Sequence, residues 1–468
     1  MENKNSKALK SGVWYTFANF FMKSIGFITT PIFTRLLSHD DYGLFSNFSS
    51  WLGTFSVFAT LNLGSSFICA RFDHERDFDG YISSTLVLSS ASTLSLALVI
   101  NIFAKWFVSV TEIEIQYLNI MMLYLLLYSA VDMFQTRERY FYEYKISVAT
   151  SLFIAISTSL LSVLLVVFMN NKLAGRIIGS VLPTIIVGIL LYVILLKRGK
   201  KVKISYWKYA IPICVPYIPH ILSLSLLNAM DKMMITKICG PDKNALYSVA
   251  YSCGAIITLL ITSLNTAFSP WLSEKLNAEE YGEIRKVSKY YIILFVYLAC
   301  GVMLLSPELL LVLGGRSYSE AIYVMPPVAF GCVFQFFYVL YVNIEQFKKH
   351  TVGMAIASVL AAVSNYVLNI VLIPTTGYLA AAYTTLISYA LLLVMHVFLV
   401  RKIGLLKTYP TKLILFCLLG MSGYTVLIHV LYIYRIARYL TVCLYAALTI
   451  VLFVRNRELV LRIIRKNR

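Results

Sequence analysis

Five ionisable side chains interrupt the apolar runs of this 468-residue sequence: Lys23, Asp132, Asp231, Lys232 and Glu345. A charge at depth in hydrocarbon costs roughly 2.5 to 3.5 kcal/mol on insertion scales, so such groups turn toward a partner or a wet cavity. Their types define the chemistry open to them. A lysine in a cleft attracts a phosphate or pyrophosphate by charge complementarity alone, and a carboxylate beside it can exchange a proton or hold a sodium ion. Neither task forms a covalent bond. The eight cysteines show no CxxC or paired spacing, so no metal site or disulfide frame is indicated.

Position separates these candidates. Lys23 lies about a dozen residues, roughly 18 Å of helix, from either end of its run, too far for its side chain to reach an interface easily. It either lines a cavity or sits in a structural ion pair. Asp231 and Lys232 are adjacent and point about 100° apart on a helix, so they cannot share one partner. One is expected in the cleft and the other against a neighbouring helix or the surface. Asp132 and Glu345 fall near the same end of their runs, in nearly corresponding places in the two halves. They read as interfacial, solvated groups that could also serve as coupling-ion or ion-pair residues. Pro212, Pro216 and Pro219, spaced four and three apart, predict a bend or hinge in the helix that leads to Asp231. His220, His396 and His429 read as packed or hydrogen-bonded side chains.

The elements that must position these groups are membrane helices. The chain is 59% hydrophobic and only 13% charged, where soluble domains carry about 25% charged residues. Fourteen apolar runs of crossing length follow one another, giving an all-α integral membrane fold. The net charge of +19 does not indicate nucleic acid, because the basic residues sit in links between runs. With the N-terminus inside, thirty Lys and Arg fall in cytoplasmic segments, nine on the opposite side, and two, Lys23 and Lys232, within runs. Both ends are then cytoplasmic. The most basic interior link, 197–208, divides a six-helix lobe at 1–196 from a second at 209–402, and 403–468 adds two further helices and a basic tail.

A repeat ties the two lobes together. The stretch Pro31 to Gly43 (PIFTRLLSHDDYG) recurs 202 residues on: Thr34, Asp40, Leu44 and Ser46 match Thr236, Asp242, Leu246 and Ser248, and Arg35 matches Lys237. An even number of runs per half inserts both halves the same way, so their pseudo-two-fold axis runs along the membrane normal and leaves a cleft between two bundles. Asp40 and Asp41 could suggest a catalytic carboxylate of a membrane glycosyltransferase or polysaccharide polymerase. The recurrence of Asp40 as Asp242 favours instead a role at a helix start, and the sequence has no large exterior loop to hold an acceptor.

The motif through Pro31, Arg35, Tyr42 and Gly43, followed by Gly64 in LNLGSSF, resembles the polysaccharide-exporter branch of the multidrug, oligosaccharidyl-lipid and polysaccharide exporter superfamily. Within that branch the length and ends are similar to those of Wzx-type flippases of O-antigen, capsule and exopolysaccharide repeat units. The resemblance implies a transporter, not an enzyme, in the bacterial cytoplasmic membrane. It would move an undecaprenyl-pyrophosphate-linked oligosaccharide from inner to outer leaflet by alternating access, beside a polysaccharide polymerase and chain-length regulator. It also implies a cationic cavity, for which Lys23 and Lys232 are the candidates, and no cofactor beyond H+ or Na+ coupling. A cation-coupled multidrug exporter shares the architecture, but it would favour acidic cavity groups.

Overall fold

The computed structural model describes residues 21–455 apart from 23, 142, 216, 217 and 349, and every regular element among them is helical. Lys23 and Pro216 therefore lie outside the described residues. The first half comprises α1 (24–36), α2 (His39–Thr60), the short α3 (Phe67–Asp73), α4 (Phe78–Ile102), α5 (Ala104–Thr111), α6 (Ile115–Tyr140), α7 (Tyr144–Phe168) and α8 (Lys172–Gly199). The second comprises α9 (Ile204–Cys214), α10 (Ile218–Cys239), α11 (Pro241–Asn277), α12 (Tyr281–Leu304), α13 (Ser306–Gly314), a 3-10 stretch at Arg316–Val324, α14 (Met325–Phe347), α15 (Thr351–Thr376) and α16 (Leu379–Lys402). α17 (Thr411–Ile433) and α18 (Arg435–Arg455) follow.

Ten helices among the described residues are long and apolar enough to cross a membrane. α2 and α10 are not among them, because the serines, threonines and asparagine of α2 and Asp231 and Lys232 of α10 dilute their apolar content. Polar content marks both as cleft helices rather than lipid-facing ones. α7 shows the opposite case: only 11% of its most apolar window is buried, so most of it faces lipid.

Three expected continuous runs are broken. The second stops at Thr60, where Leu61 and Asn62 take left-handed φ values of 48° and 50°. The third is interrupted at Phe103, between α4 and α5. In the seventh, Pro212 sits inside α9 and Pro219 in the first turn of α10. The ninth breaks at Leu305, and Pro307 occupies the first turn of α13, where its missing N–H has no carbonyl to serve.

Each half has its own interior. In the first, Leu118, Met121 and Ile177 pack around Phe55, and Leu86, Phe134 and Leu195 around Tyr81. α7 and α8 close on each other through Gly175 and Gly179. A Cβ at Gly175 would lie 2.7 Å from the Leu165 carbonyl oxygen, and one at Gly179 would lie 2.4 Å from Ser162 Cα. Small residues four apart give membrane helices this approach, where dispersion contacts rather than water drive association. In the second half Phe295, Phe336, Phe337 and Leu340 form a core that continues into Ile414, Met421 and Ile428 of α17. Tyr424 and Tyr432 donate to the Cys300 and Met303 carbonyls at 3.1 and 2.6 Å, pinning α17 to α12.

Candidate functional site

The repeated motif forms the closure between the two lobes. Ser38 caps α2 by accepting from the Asp41 N–H at 3.1 Å, leaving Asp40 and Asp41 in the first turn; α11 starts at Pro241 with Asp242 in its first turn. Carboxylates at both positions complement the helix dipole. The two helices then meet. Ser46 and Ser248, equivalent positions of the repeat, share a hydrogen bond at 2.7 Å, so the local two-fold axis passes between them. Gly43 makes the contact possible: a Cβ there would stand 1.7 Å from the Pro241 carbonyl oxygen. Asn244 Nδ2 donates to the Gly43 carbonyl at 2.9 Å and to Thr236 Oγ1 at 2.8 Å.

α1 reaches the second lobe at the same end. Thr34 Oγ1 donates to the Leu313 carbonyl at 2.5 Å, and Arg35 donates to Val312 O at 3.3 Å and to Pro31 O at 2.6 Å. We call this the motif end. Pro31, Arg35 and Gly43 thus serve the closure, and Tyr42 lies directly beside it, edge-on to Tyr318 at 6.4 Å. Gly64 does not belong here. It follows α2 at its far end, where a Cβ would meet Asp132 Oδ2 at 3.5 Å, an ordinary contact.

Just inside the closure lies a cavity of about 200 Å³ between the lobes, lined by Phe33, Tyr42, Phe45, Ser46, Arg176 and Lys232 among others. Two cations face it. The Arg176 guanidinium sits over the Phe33 ring at 3.6 Å and the Phe45 ring at 4.0 Å, and its buried Nε has no hydrogen-bond partner among the described residues. Such stacking holds a guanidinium without neutralising it. Lys232 Nζ lies 5.3 Å from the centre of the Tyr251 ring and has no carboxylate partner among the described residues. A second cavity of about 420 Å³ adjoins the first through Gly26, Thr30 and Ser252, and it adds Tyr251, Gln335 and Tyr389. The combined cleft offers cations at the motif end and aromatic and amide surface deeper in.

Asp231 turns away from this cleft, as the 100° offset requires. It is 3% exposed and accepts from Tyr247 Oη at 2.6 Å, Thr385 Oγ1 at 2.5 Å and Asn369 Nδ2 at 2.8 Å. Asn369 also donates to Asn365 at 3.1 Å, so α10, α11, α15 and α16 meet around one carboxylate. Asp132 is half-buried beside Gly64 and Thr136, with no hydrogen bond or ion pair among the described residues.

Glu345 departs from the expectation of a solvated interfacial group. It is fully buried, with His396 Nδ1 2.8 Å from its Oε1, while Oε2 has no partner among the described residues. The register of α14 against α16 brings the two together, which is why neither residue announced the other. Arg176, counted among link residues by its place three residues inside the sixth run, is the cleft group that sequence reasoning missed. Gly175 and Gly179 carried the signal: with those two committed to α7, the side chain between them points elsewhere.

The sequence matches the family described as polysaccharide biosynthesis protein over residues 8–276, and the MatE family over 216–375. The first match covers more than half of the chain. The chain belongs to the polysaccharide biosynthesis protein family. No curated protein sequence matches this member of it. Among solved structures it is similar to the lipid II flippase MurJ in an inward closed conformation, with a TM-score of 0.68 at 15% identity over 96% of this chain and 100% of that one. It is also similar to an inward-facing multidrug resistance MATE family transporter of the MOP superfamily (TM-score 0.62, 13% identity, 82% and 95% covered). A MOP superfamily transporter from Pyrococcus furiosus, described as having a binding pocket of reverse polarity, follows (TM-score 0.53, 13% identity, 86% and 96% covered). The fold is that of the MOP-superfamily transporters and flippases, a multi-pass helical membrane architecture.

Proposed function

We propose that the protein is a flippase that moves undecaprenyl-pyrophosphate-linked oligosaccharide repeat units from the inner to the outer leaflet of the bacterial cytoplasmic membrane. The observation that supports this most is Arg176, a half-buried side chain whose guanidinium is stacked on two rings and unpaired among the described residues, lining with Lys232 a cavity between two lobes. Two uncompensated cations in a low-dielectric cleft suit a diphosphate, while the neighbouring Tyr251, Gln335 and Tyr389 offer stacking and hydrogen bonds to sugar rings. An exporter of cationic drugs would need the opposite charge there.

In this reading both termini are cytoplasmic, the motif end is exterior, and the lobes at 1–196 and 209–402 rock about the pseudo-axis. The Gly43–Pro241 contact then closes the outer side while cargo enters from the inner leaflet. Lys23 is proposed as a third cationic group and the proline run Pro212, Pro216 and Pro219 as a hinge. Asp231 is proposed to hold the coupling ion, H+ or Na+; its carboxylate and the amide and hydroxyl oxygens around it are hard donors suited to Na+. Membrane lipids surround the bundle, and a polymerase and chain-length regulator receive the product. Binding is the first test. Undecaprenyl-pyrophosphate oligosaccharide should bind the purified protein more tightly than its alcohol analogue, and Arg176→Gln should narrow the difference. Equal binding of the two lipids by wild type would defeat the reading.

A further inference from the structure

A further cavity lies outside the inter-lobe cleft, at the motif end, between α13, the 3-10 stretch that follows it and the junction of α17 with α18. It measures about 730 Å³ and is lined by Glu308, Arg316, Ser319, Arg435, Arg438 and Tyr439 among others. Arg438 is 5% exposed and holds Glu308 bidentately at 2.6 and 2.8 Å, with its guanidinium 4.8 Å from the Tyr439 ring. That pair is neutral and fixes the floor. Arg316 and Arg435 stand exposed on the rim with no ion pair among the described residues, so the pocket carries a net charge of about two positive units at neutral pH.

Topology does not explain this charge. The motif end is the side with only nine of the 41 basic residues, and three of those nine converge on one pocket. Insertion signals work through basic residues on the other side. The pocket's walls continue into lipid-facing surface: Leu311 is 51% exposed, Ile436 80% and Leu440 62%. A ligand that suits both features has an anionic head and an apolar tail.

We infer that this pocket binds the phosphate-bearing head group of an anionic lipid in the leaflet at the motif end. The planar forks of Arg316 and Arg435 match phosphate oxygens bidentately, Ser319 supplies a hydroxyl, and the acyl or prenyl chain lies along α18. The site would anchor the last two helices to the second lobe through a lipid. It does not depend on what the inter-lobe cleft transports.

Native mass spectrometry of the detergent-solubilised full chain tests it, with phosphatidylglycerol, undecaprenyl pyrophosphate, a neutral diacylglycerol and free inorganic pyrophosphate as probes. Wild type should retain one or both anionic lipids over diacylglycerol, and whichever is retained identifies the source. The double variant Arg316→Gln/Arg435→Gln, which leaves the Arg438–Glu308 pair intact and is made in an Arg176→Gln background so that the cleft does not contribute, should bind that lipid about tenfold more weakly than Arg176→Gln alone. Unchanged affinity in the double variant would overturn the site, as would diacylglycerol bound equally well. Free pyrophosphate binding as tightly as the lipids would overturn the lipid assignment.

Discussion

Gly43→Ala should open the motif end. The added Cβ would sit 1.7 Å from the Pro241 carbonyl oxygen and 2.5 Å from its carbon, about 1.7 Å short of ordinary contact at 3.4 Å, and the obstructing atoms are backbone. The helices must part. Overpacking of this kind costs about 1–3 kcal/mol, and parting weakens two cross-lobe hydrogen bonds, Ser46 to Ser248 and Asn244 to Gly43, worth about 0.5–1.5 kcal/mol each. Alanine also favours helix over glycine by about 0.5–1 kcal/mol, but α2 is helical whether the lobes touch or not, so that gain cancels. The closed form should lose about 2–6 kcal/mol relative to the open one, a population shift of roughly 30-fold or more. Ser46→Cys/Ser248→Cys reports it directly, since the two oxygens stand 2.7 Å apart in the closed form. Oxidative cross-linking should be fast in this pair and suppressed by Gly43→Ala, with single-cysteine controls for the eight native thiols. Equal cross-linking with and without the alanine would refute the steric argument.

Other outcomes follow from the same geometry. Asp231→Asn should abolish the response of transport to an imposed proton or sodium gradient while downhill equilibration persists, and a retained gradient response would assign Asp231 to structure alone. Gly179→Ile, which drives a branched side chain into Ser162, should lower the thermal unfolding midpoint through loss of α7–α8 packing, whereas Gly282→Ala, with nothing within 4 Å, should not. Removing Glu345 leaves the buried His396 without its hydrogen-bond partner, so Glu345→Leu should destabilise by about 1–3 kcal/mol. The double variant Glu345→Leu/His396→Leu should recover much of that in chemical denaturation, and additive losses would show the pair to be uncoupled.

Much of the architecture was legible because it is written in composition. Apolar runs of crossing length mark the helices, and a repeat offset of 202 residues anticipated two similar halves; Ser46 and Ser248, paired on paper by that offset, are hydrogen-bonded to each other. What the residues could not show was direction. Lys232 and Asp231 were expected to diverge, and which one enters the cleft depends on where Tyr247, Asn369 and Thr385 arrive from three other helices. Arg176 near the end of its run looked like a link residue, because only α1 and α2, more than 130 residues earlier, supply the rings that hold it inside. The basic pocket at Arg316 and Arg435 likewise joins segments over a hundred residues apart. Side chains brought together by packing of distant helices leave no local pattern to read.

The central claim is that a pyrophosphate-linked glycan crosses the bilayer through a cleft held positive by Arg176 and Lys232. It is tested most directly by leaflet translocation of an undecaprenyl-pyrophosphate oligosaccharide in proteoliposomes, comparing wild type, Arg176→Met and Lys232→Met at equal incorporation. The account predicts translocation by wild type and its loss by at least tenfold in each variant, with the fold intact by circular dichroism. Translocation at the wild-type rate in both variants would contradict it.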